Sequence, residues 1–179
     1  MRIAFADDVA VAPEVRRIIN AAYWTGELGL WKPEWERTAL PPLERELERR
    51  EIAVAMEDDR PVGCVRVTLP DPDTGELGLL AVDPAAHGAG IGGALVRFAE
   101  DVSRVRGATY MRLELLVPHA GTHPAKERLH AWYSRLGYEV TGAGDFVELY
   151  PVVKDLVAVR CDLRGYRKRL VAAGERRAE

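Results

Sequence analysis

Apolar residues in this chain recur either at every second position or at every third to fourth, and those two periods divide it into elements. Residues 2–6 alternate weakly and predict a first strand. Pro13 then opens a helix carrying Val15, Ile18, Ile19, Ala22 and Tyr23 on one side. A polar, glycine-bearing loop follows, with Trp24, Trp31 and Trp35 close together. Pro41 starts a short charged helix over 43–50 in which Leu43 and Leu47 lie one turn apart. Residues 52–56 and 62–69 predict a hairpin around the acidic turn 57–60. A second turn, 70–75, leads into a central strand over 76–82.

The pattern changes after that strand. A Pro-containing turn gives way to Gly88, Gly90, Gly92 and Gly93, then to Ile91, Leu95, Phe98 and Val102 at helical spacing. This helix is predicted to end near Val105, with Gly107 beyond it. Residues 111–117 form the parallel partner strand through a right-handed crossover. Pro124 opens another helix, with Leu129, Trp132 and Leu136 as its expected buried stripe and Gly137 as its stop. Residues 138–141 predict a strand, 142–144 loosen the chain, and a last strand falls within 157–168. The sequence therefore predicts one α/β (α+β mixed) domain over 1–170, with a polar, frayed tail over 171–179.

Charge and cysteine content narrow the function. Twenty-five Lys and Arg against 28 Asp and Glu give a formal net charge of −3, so no broad nucleic-acid or anionic-membrane surface is implied. No apolar run reaches membrane-spanning length, and the N-terminus has no targeting pattern. Cys64 and Cys161 are too few for a disulfide framework or a zinc cluster, which points to a reducing compartment and a cytoplasmic protein.

Strand, glycine loop and helix start together form a device for holding an anion, because glycines admit close approach and the free N–H groups sit at the positive helix end. A P-loop is excluded, since Gly93 is followed by Ala94 and Leu95 rather than Lys and Ser or Thr. A dinucleotide fingerprint matches Gly88, Gly90 and Gly93, with Glu114 at a suitable distance to meet a ribose. Five intervening residues after the strand and the presence of only one such unit count against it. Val82-Asp83-Pro84 followed by His87-x-x-Gly90-x-Gly92 resembles the acetyl-CoA signature of the GNAT acetyltransferase superfamily. Trp132-Tyr133-x-x-x-Gly137-Tyr138 resembles that family's second landmark. One departure is His87, where the family carries Arg or Gln.

The resemblance implies a largely antiparallel mixed sheet of six to seven strands with a splayed parallel pair, flanked by about four helices. It also implies an N-acetyltransferase that uses acetyl-CoA, needs no metal, and acetylates a primary amine of a small molecule or peptide in a ternary complex. Dimers are common among such folds. The backbone of Leu80, Ala81 and Val82 is expected to pair with the pantetheine arm. The loop His87, Gly88, Ala89, Gly90, Ile91, Gly92, Gly93 and Ala94 is expected to cradle the pyrophosphate. Tyr133 matches the family's general acid, although a core tyrosine would occupy the same position. Glu76, at the start of the central strand, is the expected base, with Glu114 and His119 as rivals. A non-catalytic acyl-CoA-binding or sensing module is the alternative reading.

Acceptor recognition is expected from Tyr23, Trp24, Glu27, Trp31 and His119, with Glu27, Glu34 and Glu36 drawing in a cation. The tryptophans are equally suited to gluing the loop to the core. Many family members carry Asn where Lys126 stands, so that contact to the pantetheine arm is absent or replaced; Lys126 or Arg128 is expected on a solvated face or at a phosphate. His119 and His123 do not share a helical face, and together with His130 they give no metal pattern.

Overall fold

Seven strands and five helices follow one another in the structure, a computed structural model in which residues 1–33, 35–86 and 90–170 are described. Two compact units divide them: 1–23 with 36–111 and 169–170, and 24–35 with 112–168. The tail 171–179, expected to fray, lies outside the described residues.

In the first unit, β1 (Arg2–Phe5), β2 (Ile52–Glu57), β3 (Arg60–Asp71) and β4 (Thr74–Val82) pair antiparallel in sequence order. The β2–β3 hairpin closes through Asp58 and Asp59, both at positive φ (46° and 60°), as the twist of a two-residue hairpin requires. A 3-10 turn over Val9–Val11, capped by the Asp8 side chain, leads into α1 (Ala12–Gly26). This helix runs through Trp24, past the point where sequence periodicity predicts a loop. In α2 (Leu40–Glu48) the prolines fall in the first turn, where a missing N–H costs nothing, so the helix starts earlier than predicted. Val15, Ile18 and Ile19 of α1, with Leu43 and Leu47 of α2, pack on Ile52, Val54 and Cys64 of the sheet. The helix after the glycines, α3 (Ile91–Val105), buries Ile91, Leu95, Val96 and Ala99.

The second unit takes most of β5 (Tyr110–Pro118), then α4 (Pro124–Arg135), β6 (Glu139–Asp145), the single-turn α5 (Phe146–Leu149) and β7 (Cys161–Arg169). β6 and β7 pair antiparallel from Glu139↔Arg167 to Asp145↔Asp162. Residues 142–144 thus belong to a strand rather than loosening the chain, and the irregularity they introduce is a register shift between Val140 and Gly142. The last strand starts at Cys161, since the residues before it are taken up by α5 and a 3-10 turn, Pro151–Val153, that carry no clear periodicity.

Hydrogen bonding orders the strands β1-β2-β3-β4-β5-β7-β6, a mixed sheet whose one parallel pair is β4–β5. This is the mixed α/β architecture expected, with four full helices and one extra turn of helix. No helix among the described residues is long and apolar enough to cross a membrane.

Candidate active site

The strand–loop–helix device belongs to the first unit. Along β4, Leu77, Leu79 and Ala81 are buried and alternate with half-buried Glu76, Gly78, Leu80 and Val82. Between the pairs Cys64↔Ala81 and Arg66↔Gly78, two β4 residues oppose one on β3. Leu79 takes up this bulge at φ 46°, a conformation that costs a non-glycine residue about 1–2 kcal/mol. Its position is fixed by burial and by the Cys64 thiol, which donates to its carbonyl at 3.6 Å. Periodicity does not reveal the bulge, because the apolar run through it, residues 79–82, is uninterrupted.

At the end of β4, the Asp83 carboxylate accepts from the Ala85 N–H at 2.9 Å and pairs with Arg17 of α1. Those two contacts, the backbone one first, hold it below the usual carboxylate range. Arg17 is shared with Glu14 at 2.7 Å. The chain thus enters the glycine loop from an anchored turn. His87, Gly88 and Ala89 lie outside the described residues.

Gly90 is the N-cap of α3 at φ 73°, with open space where a Cβ would project. The first helical bond runs from the Ala94 N–H to the Gly90 carbonyl at 3.1 Å. This corrects one expectation: the Ala94 donor is used within the helix, leaving Ile91, Gly92 and Gly93 as the amides with no intrahelical acceptor. No acidic residue occupies the first turn, where one would normally offset the helix dipole. Close seating of this helix on the sheet depends on Gly63 of β3, whose Cβ would fall 2.9 Å from the Ala81 carbonyl and 3.2 Å from Ile91 and Leu95.

Glu76 opposes Thr68 on β3. Its side chain is 21% exposed, with an Arg66 nitrogen 3.6 Å away, and Arg66 also meets Glu46 at 3.1 Å. Tyr23 carries the Arg37 guanidinium 5.0 Å above its ring.

The second unit holds Tyr133, buried on α4 among the rings of Trp132, Tyr138 and Tyr166 at 4.9, 5.8 and 6.0 Å. The buried positions of α4 are Lys126 and Tyr133, seven residues apart, whereas Leu129, Trp132 and Leu136 are only half-buried. Lys126 can face inward because its Nζ lies 2.7 Å from Oε1 of buried Glu27. The other carboxylate oxygen accepts from the Trp31 indole N–H at 2.6 Å. Glu27 is therefore committed to an internal pair, and Lys126 is buried rather than on a solvated face. Trp31 stacks flat on Trp35 at 4.0 Å and meets the edge of Phe146 at 5.7 Å. Trp24, by contrast, is 48% exposed. Glu34 lies outside the described residues, and Glu36 pairs with Arg16 at 2.7 Å.

His119 presents Nδ1 to both Asp162 oxygens at 3.0 and 3.1 Å, and its side chain is 45% exposed. His123 contacts the Leu28 carbonyl and His130 the Tyr166 hydroxyl, so the three histidines serve three separate partners. Among the described residues no group of three His, Cys, Asp or Glu could hold a metal ion. Burial pushes the Cys64 thiol up to about 12 and the Cys161 thiol up to about 11.

The acetyltransferase (GNAT) family profile matches residues 19–138, a span that takes in the anchored turn, the glycine cap and Tyr133. The chain belongs to this family. No curated protein matches it. Solved structures sharing the fold include the ribosomal-protein-alanine N-acetyltransferase of Brucella melitensis, 21% identical over 95% of this chain and 100% of that one (TM-score 0.67). An aminoglycoside 6'-N-acetyltransferase complexed with coenzyme A is 18% identical over 96% and 98% (TM-score 0.68). The N-acetylglutamate synthase of Neisseria gonorrhoeae, complexed with coenzyme A and N-acetyl-glutamate, is 18% identical over 95% of this chain (TM-score 0.65). The chain spans 35% of that synthase's length.

Within this GNAT acetyltransferase, sequence reasoning missed the partnerships of Lys126, Asp162 and Arg17. Each binds a residue 43 or more positions away, beyond the reach of any local pattern.

Proposed function

We propose that this acetyltransferase moves the acetyl group of acetyl-CoA to a primary amine by direct attack within a ternary complex. The observation that carries the reading is the start of α3: a left-handed glycine cap, three amides without intrahelical acceptors and a first turn free of carboxylates. That donor set suits a diphosphate, whose charge it would meet with main-chain hydrogen bonds and the helix field. The β4 backbone at Leu80, Ala81 and Val82 is assigned to the pantetheine arm, and His87, Gly88 and Ala89 to the same phosphates.

An amine must lose a proton before it attacks, and the departing thiolate must gain one. Glu76 is assigned the first task and the Tyr133 phenol the second. The C–S bond breaks as the C–N bond forms, and the products are an amide and the CoA thiol. The cysteines support direct transfer. A thiol held near 11 is ionised to only about one part in 10⁴ at neutral pH, so neither makes an effective acyl-accepting nucleophile. Tyr23, Trp24, Trp31 and His119 are assigned to the acceptor side. With Glu27 internally paired, its contribution there is indirect. The amine of an amino acid, an aminoglycoside or a peptide N-terminus would each satisfy this chemistry.

Two measurements test the reading. Calorimetry with CoA should show Gly90→Val binding about tenfold more weakly, since a β-branched residue at φ 73° distorts the cap. Parental affinity would remove the phosphate assignment. CoA release should be followed with an alanine-terminated peptide, glutamate and an aminoglycoside as acceptors. Tyr133→Phe should slow turnover by about 10²-fold with CoA affinity unchanged; a rate equal to the parent's would leave the phenol as packing alone.

A further inference from the structure

Buried ion pairs are seldom the cheapest way to fill a core, because desolvating two charges consumes most of what their attraction returns. The second unit nevertheless buries Glu27 and Lys126 at 6% and 3% side-chain exposure. What such a pair provides that two apolar residues do not is direction. Each carboxylate oxygen of Glu27 has its own donor: Lys126 Nζ on Oε1 and Trp31 Nε1 on Oε2. One residue before the helix, His123 Nε2 contacts the Leu28 carbonyl at 3.1 Å. The N-terminal turn of α4 is thus tied to residues 27–31 at two points three residues apart. That segment is itself held, since the Lys32 N–H donates to the Leu156 carbonyl and the Ala158 N–H to the Leu30 carbonyl, both at 2.9 Å.

We propose that the Glu27–Lys126 pair, with Trp31, positions the phenol of Tyr133, by fixing the rotation of α4 about its own axis. This rests on the reading of Tyr133 as the proton donor. Lys126 and Tyr133 lie seven residues, about two turns, apart on the same buried face. A helix turns as a unit, so rotation at Lys126 is rotation at Tyr133. With the phenol oxygen roughly 8 Å from the axis, a turn of about 10° displaces it by about 1.4 Å. Misplacement of that order costs about 10²-fold in rate.

The decisive variant is Glu27→Gln with Lys126→Met, which removes both charges together and so leaves neither stranded. Its readouts are CoA release with the fastest of the three acceptors named above and the ¹³Cζ resonance of Tyr133 in tyrosine-labelled protein, assigned by its loss in Tyr133→Phe. Expected are a 10- to 100-fold lower kcat, a KM for acetyl-CoA within twofold of the parent's, and a displaced Tyr133 resonance while that of Tyr23 stays in place. In the Tyr133→Phe background the same pair change should lower kcat less than twofold. Glu27→Asp, which keeps the charge and shortens its reach, should give a smaller kcat loss in the same direction and serves if the double variant fails to fold. An unmoved Tyr133 resonance, or an equal loss of rate in the Tyr133→Phe background, overturns the proposal. If none of the three amines turns over, the resonance alone decides. Failure of the underlying reading looks different: Tyr133→Phe would then turn over as fast as the parent.

Discussion

Helices α3 and α4 begin in opposite ways. α3 starts on a left-handed glycine with no side-chain cap, and what its first turn presents is main chain. α4 starts on Pro124 and sends a lysine inward to a carboxylate 99 residues earlier. The first arrangement depends on what is absent: a Cβ at Gly90, an acidic residue in the first turn, and bulk at Gly63 beneath the helix. The second depends on what is present, and on both partners at once. A main-chain site should therefore fail when bulk is added, whereas a side-chain network should fail when one member is removed.

The largest expected effect lies in α4. Lys126→Met alone strands the Glu27 carboxylate in the interior and should destabilise the protein by about 3–5 kcal/mol in urea or thermal melts. Adding Glu27→Gln should recover most of that loss, because the stranded charge disappears. A single variant within about 1 kcal/mol of the parent would mean that the carboxylate reaches water, and the contrast between the two helices would dissolve.

Added bulk under α3 should come next. Gly63→Ala sets a methyl carbon 2.9 Å from the backbone carbonyl of Ala81, which cannot move without disturbing β4. Overpacking of this kind costs about 1–3 kcal/mol. CoA affinity should fall alongside stability, because Ile91 and Leu95, which seat the helix start, are the other atoms displaced. Loss of stability with CoA affinity intact would separate the helix seating from the ligand site.

The same contrast explains what could be read from the chain and what could not. The glycine turn was legible because its chemistry is local: Pro84, Gly90 and Gly92 are close in sequence, the proline restricting the backbone where it stands and the glycines freeing it. The strands of the first unit were legible for the same reason, through alternation. The inward face of α4 was misjudged because periodicity scores lysine as an outward residue, and only a carboxylate from a distant segment makes it otherwise. Leu79 kept the bulge hidden, since an apolar residue at positive φ leaves no trace in composition. α5 escaped because four residues carry too little period to detect.

The smallest expected effect concerns the anchored turn before the glycine loop, where the two modes of construction meet. Asp83 accepts from the Ala85 N–H and faces Arg17, so its folded-state pKa lies below its unfolded value of about 3.9. A depressed carboxylate contributes stability that is fully present above the unfolded value and is lost as pH falls through the folded one. Arg17 is about half exposed, which screens the pair and limits its worth to about 0.5–1 kcal/mol at neutral pH. Asp83→Asn keeps an oxygen for the Ala85 N–H but gives up the charge. The variant should melt slightly earlier than the parent at pH 7, and the gap should close as pH falls through the parent's depressed folded-state value, once its carboxyl is also neutral. Glu14 is likewise held low by Arg17, and because the Asp83 charge raises its value, the substitution should leave Glu14 held lower still, so part of the acid limb should persist in both proteins. A gap that stays constant down to pH 2 would mean that the ion pair adds nothing beyond the backbone cap, and the turn would then belong wholly with the main-chain construction of α3.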